Sequence, residues 1–132
     1  MPSSSKLALA FAASLLVLLL LDGLWINVVS GPLGFDYFGT VERIQGGQEM
    51  AKRPLGLLAY LSMAAACARA SERGGAAASA EAGFYIYSIY DFTNTFLLRG
   101  WSPALAFVDI AWGTSVFAVA GAAAAAAVAA VF

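Results

Sequence analysis

Three aspartates lie inside apolar segments of the chain, where a lipid-facing helix would carry aliphatic side chains. They are Asp22, Asp91 and Asp109. An ionisable side chain costs several kcal/mol at the centre of a bilayer, so such residues usually face a bundle interior or a cavity. Carboxylates bind cations or exchange protons, and we therefore predict that a ligand-binding site surrounds these aspartates.

Aromatic and amide side chains accompany Asp91 at helical spacing. Residues three, four and seven apart share one face of a helix. This spacing predicts a single stripe that carries Gly83, Tyr87, Tyr90, Asp91 and Asn94.

The pattern Asp-x-x-Trp occurs twice, in DGLW and in DIAW. An indole N–H is a donor only, so Trp25 and Trp112 are expected to donate to a carboxylate on their own or a neighbouring helix. The complete predicted ligand-binding set is Asp22, Trp25, Tyr60, Tyr87, Tyr90, Asp91, Asn94, Asp109 and Trp112.

A structural interpretation competes with this one. Aromatic belts are expected at membrane interfaces, and polar side chains can hold membrane helices together. For the tryptophans taken alone, we favour this structural interpretation. It explains the aspartates less well, because no basic residue is predicted at their depth and burial should then keep at least one carboxyl protonated.

The composition predicts an integral membrane protein. Of 132 residues, 61% are hydrophobic and only 11% are charged, which gives far more apolar surface than a soluble domain of this size buries. A membrane-spanning helix needs about 20 apolar residues. We predict an all-α, four-helix transmembrane bundle in a single domain, with spans at about 7–29, 54–70, 79–98 and 103–131.

Alternating spans would bring all three aspartates to one level. Asp22, Asp91 and Asp109 each lie about six or seven residues from the span end at the same face, or roughly 10 Å at 1.5 Å per residue. Tyr60 reaches that level from the second span. We expect a pocket open to one face, entered either from water or sideways from lipid.

Several boundaries carry alternatives. Gly74 and Gly75 are expected to break the connection between the second and third spans. The first connection fits either a short interfacial helix, ended by Gly46 and Gly47, or a surface loop. Residues 1–21 resemble a signal peptide, but the apolar pattern continues to Val29, which favours a span.

The residue inventory limits the chemistry. The chain has no histidine and a single cysteine, Cys67, which excludes an internal disulfide and a Cys-based metal site. We predict no cofactor, although a bound lipid or pigment remains compatible, and we assign no metal ligands. A net charge of -1 without a basic cluster argues against nucleic acid.

The C-terminal run GAAAAAAVAAVF favours close helix packing, because small side chains let helix backbones approach in a bilayer. It could contact a helix of the same bundle or of a partner membrane protein. A lipid-facing segment of alanine-biased composition is the alternative.

Four segments of the chain resemble a family of small four-helix membrane proteins, known as domain of unknown function twenty-one seventy-seven. They are LDGLW, YDFTN, RGW and VDIAWGT, at 21–25, 90–94, 99–101 and 108–114. The resemblance implies a four-span bundle and no particular reaction. The positions that match its characteristic residues are Asp22, Trp25, Tyr90, Asp91, Thr93, Asn94, Trp101, Asp109, Trp112 and Gly113.

Three functions follow as hypotheses. The first is binding or translocation of a small cationic or amphiphilic ligand by the aspartates. The second is an accessory subunit of a larger membrane complex. The third is an enzyme acting on lipid head groups through carboxylates that hold Mg²⁺ or transfer protons. We assign no catalytic residues, because the dense Asp-x-x-Asp clusters typical of such enzymes are missing.

Overall fold

The fold of the chain, in a computed structural model that describes residues 2–47 and 52–132, consists of helices with no strand in this part. Their bounds are Pro2–Leu24 (α1), Tyr37–Gln45 (α2), Arg53–Leu97 (α3) and Pro103–Val131 (α4). One π-helical turn, Trp25–Val29, continues α1, and the N–H of Ser30 closes it on the carbonyl of Trp25 at 2.8 Å. The predicted all-α bundle is confirmed.

α3 is a hairpin of two arms, residues 53–73 and 76–97. Gly75 has φ +58° and ψ −136°, a conformation that strongly favours glycine. The Ser79 hydroxyl donates to the carbonyl of Cys67 at 3.5 Å, although twelve residues of straight helix would separate them by about 18 Å. The predicted break at Gly74 and Gly75 is therefore confirmed.

The bundle is built from α1, the two arms of α3, and α4. Leu18, Ala64 and Phe117 are fully buried at its centre. The second arm and α4 approach closely at glycines, as expected for membrane helices. A Cβ on Gly83 would lie 2.6 Å from the carbonyl oxygen of Gly113 and 2.5 Å from the Cβ of Phe117.

One face of the alanine-rich run packs inside the bundle. Ala120 and Ala124 are fully buried, and the Ser71 hydroxyl donates to the carbonyl of Gly121 at 3.1 Å. Alanines on the opposite face, such as Ala122 and Ala126, are exposed. The run thus supplies a helix contact within the chain.

The first connection contains a helix, α2, as the interfacial-helix alternative predicted. The Asp36 carboxylate accepts from the N–H of Gly39 at 2.9 Å to begin it, and Gly46, at φ +80°, ends it. Tyr37 packs with Trp101 across the end of the bundle, whereas Phe38 is exposed on the outer face. α2 therefore covers the end at which the polar residues lie.

Two helices in the described part of the chain are long and apolar enough to cross a membrane. They are Ser3–Val29, which joins α1 to its π-helical turn, and Pro103–Val131. Both arms of α3 run alongside them.

We expect Gly83→Ala to lower the free energy of unfolding by about 1–3 kcal/mol, because the added methyl group overpacks the contact with α4. Gly56→Ala is the matched control, since no atom lies within 4 Å of its new Cβ. Thermal unfolding in detergent, followed by circular dichroism, measures both. Equal stability of the two variants would contradict the close contact.

Candidate functional site

The Asp22 carboxylate connects three helices. Its Oδ1 accepts a hydrogen bond from Trp112 Nε1 of α4 at 2.9 Å, and its Oδ2 accepts from the Tyr60 hydroxyl on the first arm of α3. Asp22 is buried, so these donors replace the water that the carboxylate has lost. The expected indole-to-carboxylate hydrogen bond is confirmed for Trp112 but not for Trp25, and Asp22, Tyr60 and Trp112 lie at one level.

The two tryptophans of the Asp-x-x-Trp patterns stack on each other. The rings of Trp25 and Trp112 are 4.7 Å apart and inclined by 8°. Trp25 opens the π-helical turn of α1, a feature that sequence periodicity did not predict. Unlike Trp112, Trp25 has a buried Nε1 without a hydrogen-bond partner.

A second carboxylate, that of Asp91, is completely buried. Its Oδ1 accepts from Trp101 Nε1 at 3.3 Å, whereas its Oδ2 has no hydrogen-bond partner. The carboxyl of Asp109, also buried, lies close enough to that of Asp91 to be its hydrogen-bonding neighbour. We call Asp91 and Asp109 the carboxyl pair.

Tyr37 approaches the carboxyl pair from α2. Its hydroxyl lies beside the Trp25 indole and the Asp109 carboxyl but forms a hydrogen bond of ordinary geometry with neither. Burial raises the pKa of the Tyr37 phenol above its ordinary value, so the hydroxyl keeps its proton and can donate.

These contacts form a continuous polar row from Trp25 through Tyr37 to Asp109 and Asp91. Three of its atoms, Trp25 Nε1, Tyr37 Oη and Asp91 Oδ2, are buried without a hydrogen-bond partner. Each such atom costs about 1–3 kcal/mol. A buried row with unsatisfied donors and acceptors is the arrangement expected where a ligand or ordered water binds.

The predicted stripe on the second arm divides between two faces. Tyr87 is buried, packs against Gly113, and meets Phe117 edge-on at 6.2 Å. Tyr90 instead is 53% exposed, because it lies about 100° around the helix from Asp91. The expectation that Tyr90 shares the buried face is wrong.

The half-buried Asn94 contacts the Tyr90 side chain. Tyr90 also meets Trp101 edge-on at 5.8 Å. Trp101, in turn, donates to Asp91. Asn94 and Tyr90 therefore belong to the surroundings of the carboxyl pair, outside the polar row.

The predicted ligand-binding set did not include Tyr37 or Trp101, although the family resemblance had singled out Trp101. Tyr37, Thr40 and Ile44 recur at helical spacing, a signal that could have identified the inward face of α2. Trp101 follows a turn, where spacing along a helix does not predict which carboxylate its indole reaches.

The charges around the carboxyl pair are unbalanced. No basic side chain acts on Asp91 or Asp109 in the described part of the chain, and the ion pair of Arg69 with Glu72, at 3.4 Å, lies beside the hairpin turn of α3. In residues 2–47 and 52–132, no group of three or more His, Cys, Asp or Glu side chains could hold a metal ion.

Together, the fold and the polar row define a small helical membrane protein with buried carboxyl groups beneath one end of its bundle. A family model described as "Predicted membrane protein (DUF2177)" matches residues 53–126. The chain belongs to this family. The match includes Asp91 and Asp109 and begins after the segments that supply Trp25 and Tyr37. Searches of curated proteins and of solved structures found no match.

We expect Tyr60→Phe to lower the free energy of unfolding by about 1–3 kcal/mol, because Asp22 loses one of its two donors in a buried setting. Tyr85→Phe is the matched control, since its hydroxyl bonds Glu81 at the exposed surface. The free energy of unfolding of Tyr85→Phe should stay within about 0.5 kcal/mol of that of the unmodified protein. Chemical or thermal unfolding in detergent compares them, and a Tyr60→Phe protein as stable as Tyr85→Phe would contradict the role of Asp22.

Proposed function

We propose that this protein is a multi-pass membrane protein that binds a small cationic or amphiphilic ligand at the carboxyl pair. The observation that carries the proposal is Asp91 Oδ2, which is completely buried, has no hydrogen-bond partner and lies beside a second carboxyl, that of Asp109.

A cation is the partner that two adjacent carboxyls lack. Burying a charge is costly unless it is paired, and like charges at short range repel. None of the salt bridges formed by the described side chains reaches Asp91 or Asp109. A bound cation would pair the negative charge that the two carboxyls carry and would reduce their repulsion.

The surrounding rings suit an organic cation. Trp25 and Tyr37 belong to the polar row, and Trp101 donates to Asp91 within it. Aromatic faces attract ammonium groups, by about 0.5–2 kcal/mol for each favourable contact. These rings also present apolar surface to the hydrocarbon part of an amphiphile.

Asp22 has a different part in the proposal. Both of its oxygens accept hydrogen bonds from Tyr60 and Trp112, so it orders the helices that surround the carboxyl pair. Trp112 in turn stacks on Trp25, which places one end of the polar row.

The multi-pass arrangement assigns one membrane crossing each to α1, the two arms of α3, and α4. The hairpin turn at Gly74 and Gly75 would lie at one face and the polar row beneath the other. α2, with Phe38 exposed on its outer side, would rest on the membrane surface there.

Asp91→Asn and Asp109→Asn are each expected to weaken binding of hexylamine, a small organic cation, by at least about tenfold, because each removes negative charge from the pair. Quenching of tryptophan fluorescence in lipid nanodiscs measures the affinity, since Trp25 and Trp101 border the site.

Glu81→Gln is the matched control, a loss of carboxylate charge at an exposed position. Its affinity should equal that of the unmodified protein. Hexylamine binding that survives in both aspartate variants, or that is absent from the unmodified protein, would refute the proposal.

Single cysteines introduced as Arg73→Cys and Arg99→Cys should react with a membrane-impermeant maleimide from opposite sides of a sealed vesicle. Both positions are exposed: Arg73 ends the first arm of α3 beside the hairpin turn, and Arg99 follows the end of the second arm. The native Cys67 is buried, so the unmodified protein provides the background. Labelling of both positions from one side would exclude the multi-pass arrangement.

A further inference from the structure

The polar row contains a donor that a cation cannot satisfy. An indole Nε1 donates and never accepts. Trp25 Nε1 is buried without a partner at one end of the row, and Asp91 Oδ2, an acceptor when ionised, is buried without a partner at the other. A metal ion or a simple amine at the carboxyl pair would leave the indole unsatisfied.

We propose that the ligand carries an ammonium group and, within a few bonds of it, an oxygen acceptor, which is the chemistry of an amino-alcohol head group. This inference rests on the proposed function, because it takes the ammonium group to bind at Asp91 and Asp109. The oxygen then accepts from Trp25 Nε1.

The Tyr37 hydroxyl, in the middle of the row, can bind either the oxygen or the ammonium group of such a ligand. The Tyr37 hydroxyl lies between the Trp25 indole and the Asp109 carboxyl, and it can both donate and accept. It can therefore donate to the ligand oxygen or accept from its ammonium group. Every unsatisfied atom of the row gains a partner of matching type.

Aromatic rings lie between the carboxyl pair and the outer surface. Trp101 donates to the buried Asp91 and contacts Tyr90, which is 53% exposed. These two rings thus lead from Asp91 toward the outside of the bundle, and they would contact an alkyl chain on the ligand.

The experiment compares two probes that differ by one hydroxyl group: hexylamine, and the vicinal amino alcohol with the same carbon chain. Binding of each to the unmodified protein in nanodiscs is measured by isothermal titration calorimetry. We expect the amino alcohol to bind about tenfold more tightly, the value of one additional buried hydrogen bond. Empty nanodiscs supply the correction for partitioning into lipid.

Trp25→Phe is expected to abolish this tenfold preference, because it removes the donor and keeps an aromatic ring against Trp112. Glu81→Gln, far from the row on the exposed surface, should retain the preference. A preference that persists in Trp25→Phe would overturn the inference.

Results from the unmodified protein alone separate the two proposals. If both probes bind with equal affinity, the proposed function stands and the inference fails, as it would if ordered water already satisfied the indole. If neither probe binds, the proposed function and the inference fail together.

Discussion

The hydrogen bonds to Asp22 hold together the part of the structure on which the site depends. A carboxylate placed in an apolar helix must find donors, and Asp22 finds Tyr60 on α3 and Trp112 on α4. These two bonds set three helices at the same level. They also orient Trp112, whose ring stacks on Trp25 and so places that indole next to Tyr37.

The contrast between Asp22 and the carboxyl pair is informative about function. Asp22 has a donor for each oxygen, whereas Asp91 has one donor and an oxygen without a partner. Both residues occur in apolar helices and both are buried, so burial alone does not distinguish them. The number of hydrogen-bond donors distinguishes them. Asp22, with a donor for each oxygen, has a structural role, whereas Asp91 keeps an oxygen available to a ligand.

Helical periodicity and glycine placement predicted much of the architecture. The break at Gly74 and Gly75, the end of α2 at Gly46 and the shared level of Asp22 and Tyr60 all follow from local rules about backbone conformation and rise per residue. Periodicity failed at Tyr90, whose neighbour Asp91 is completely buried. Consecutive residues such as Tyr90 and Asp91 lie about 100° apart around a helix, so the face of this arm that buries Asp91 leaves Tyr90 exposed.

By itself, the sequence determined that the chain is helical and apolar, and that its aspartates require partners, because composition and spacing are properties of the chain alone. Tertiary structure decided which partners they obtain. Tyr37 lies on α2 and Trp101 follows a turn, and their approach to Asp109 and Asp91 depends on how separate elements pack. Hydrogen bonds between distant segments require particular distances and directions, which the spacing of residues along one helix does not encode.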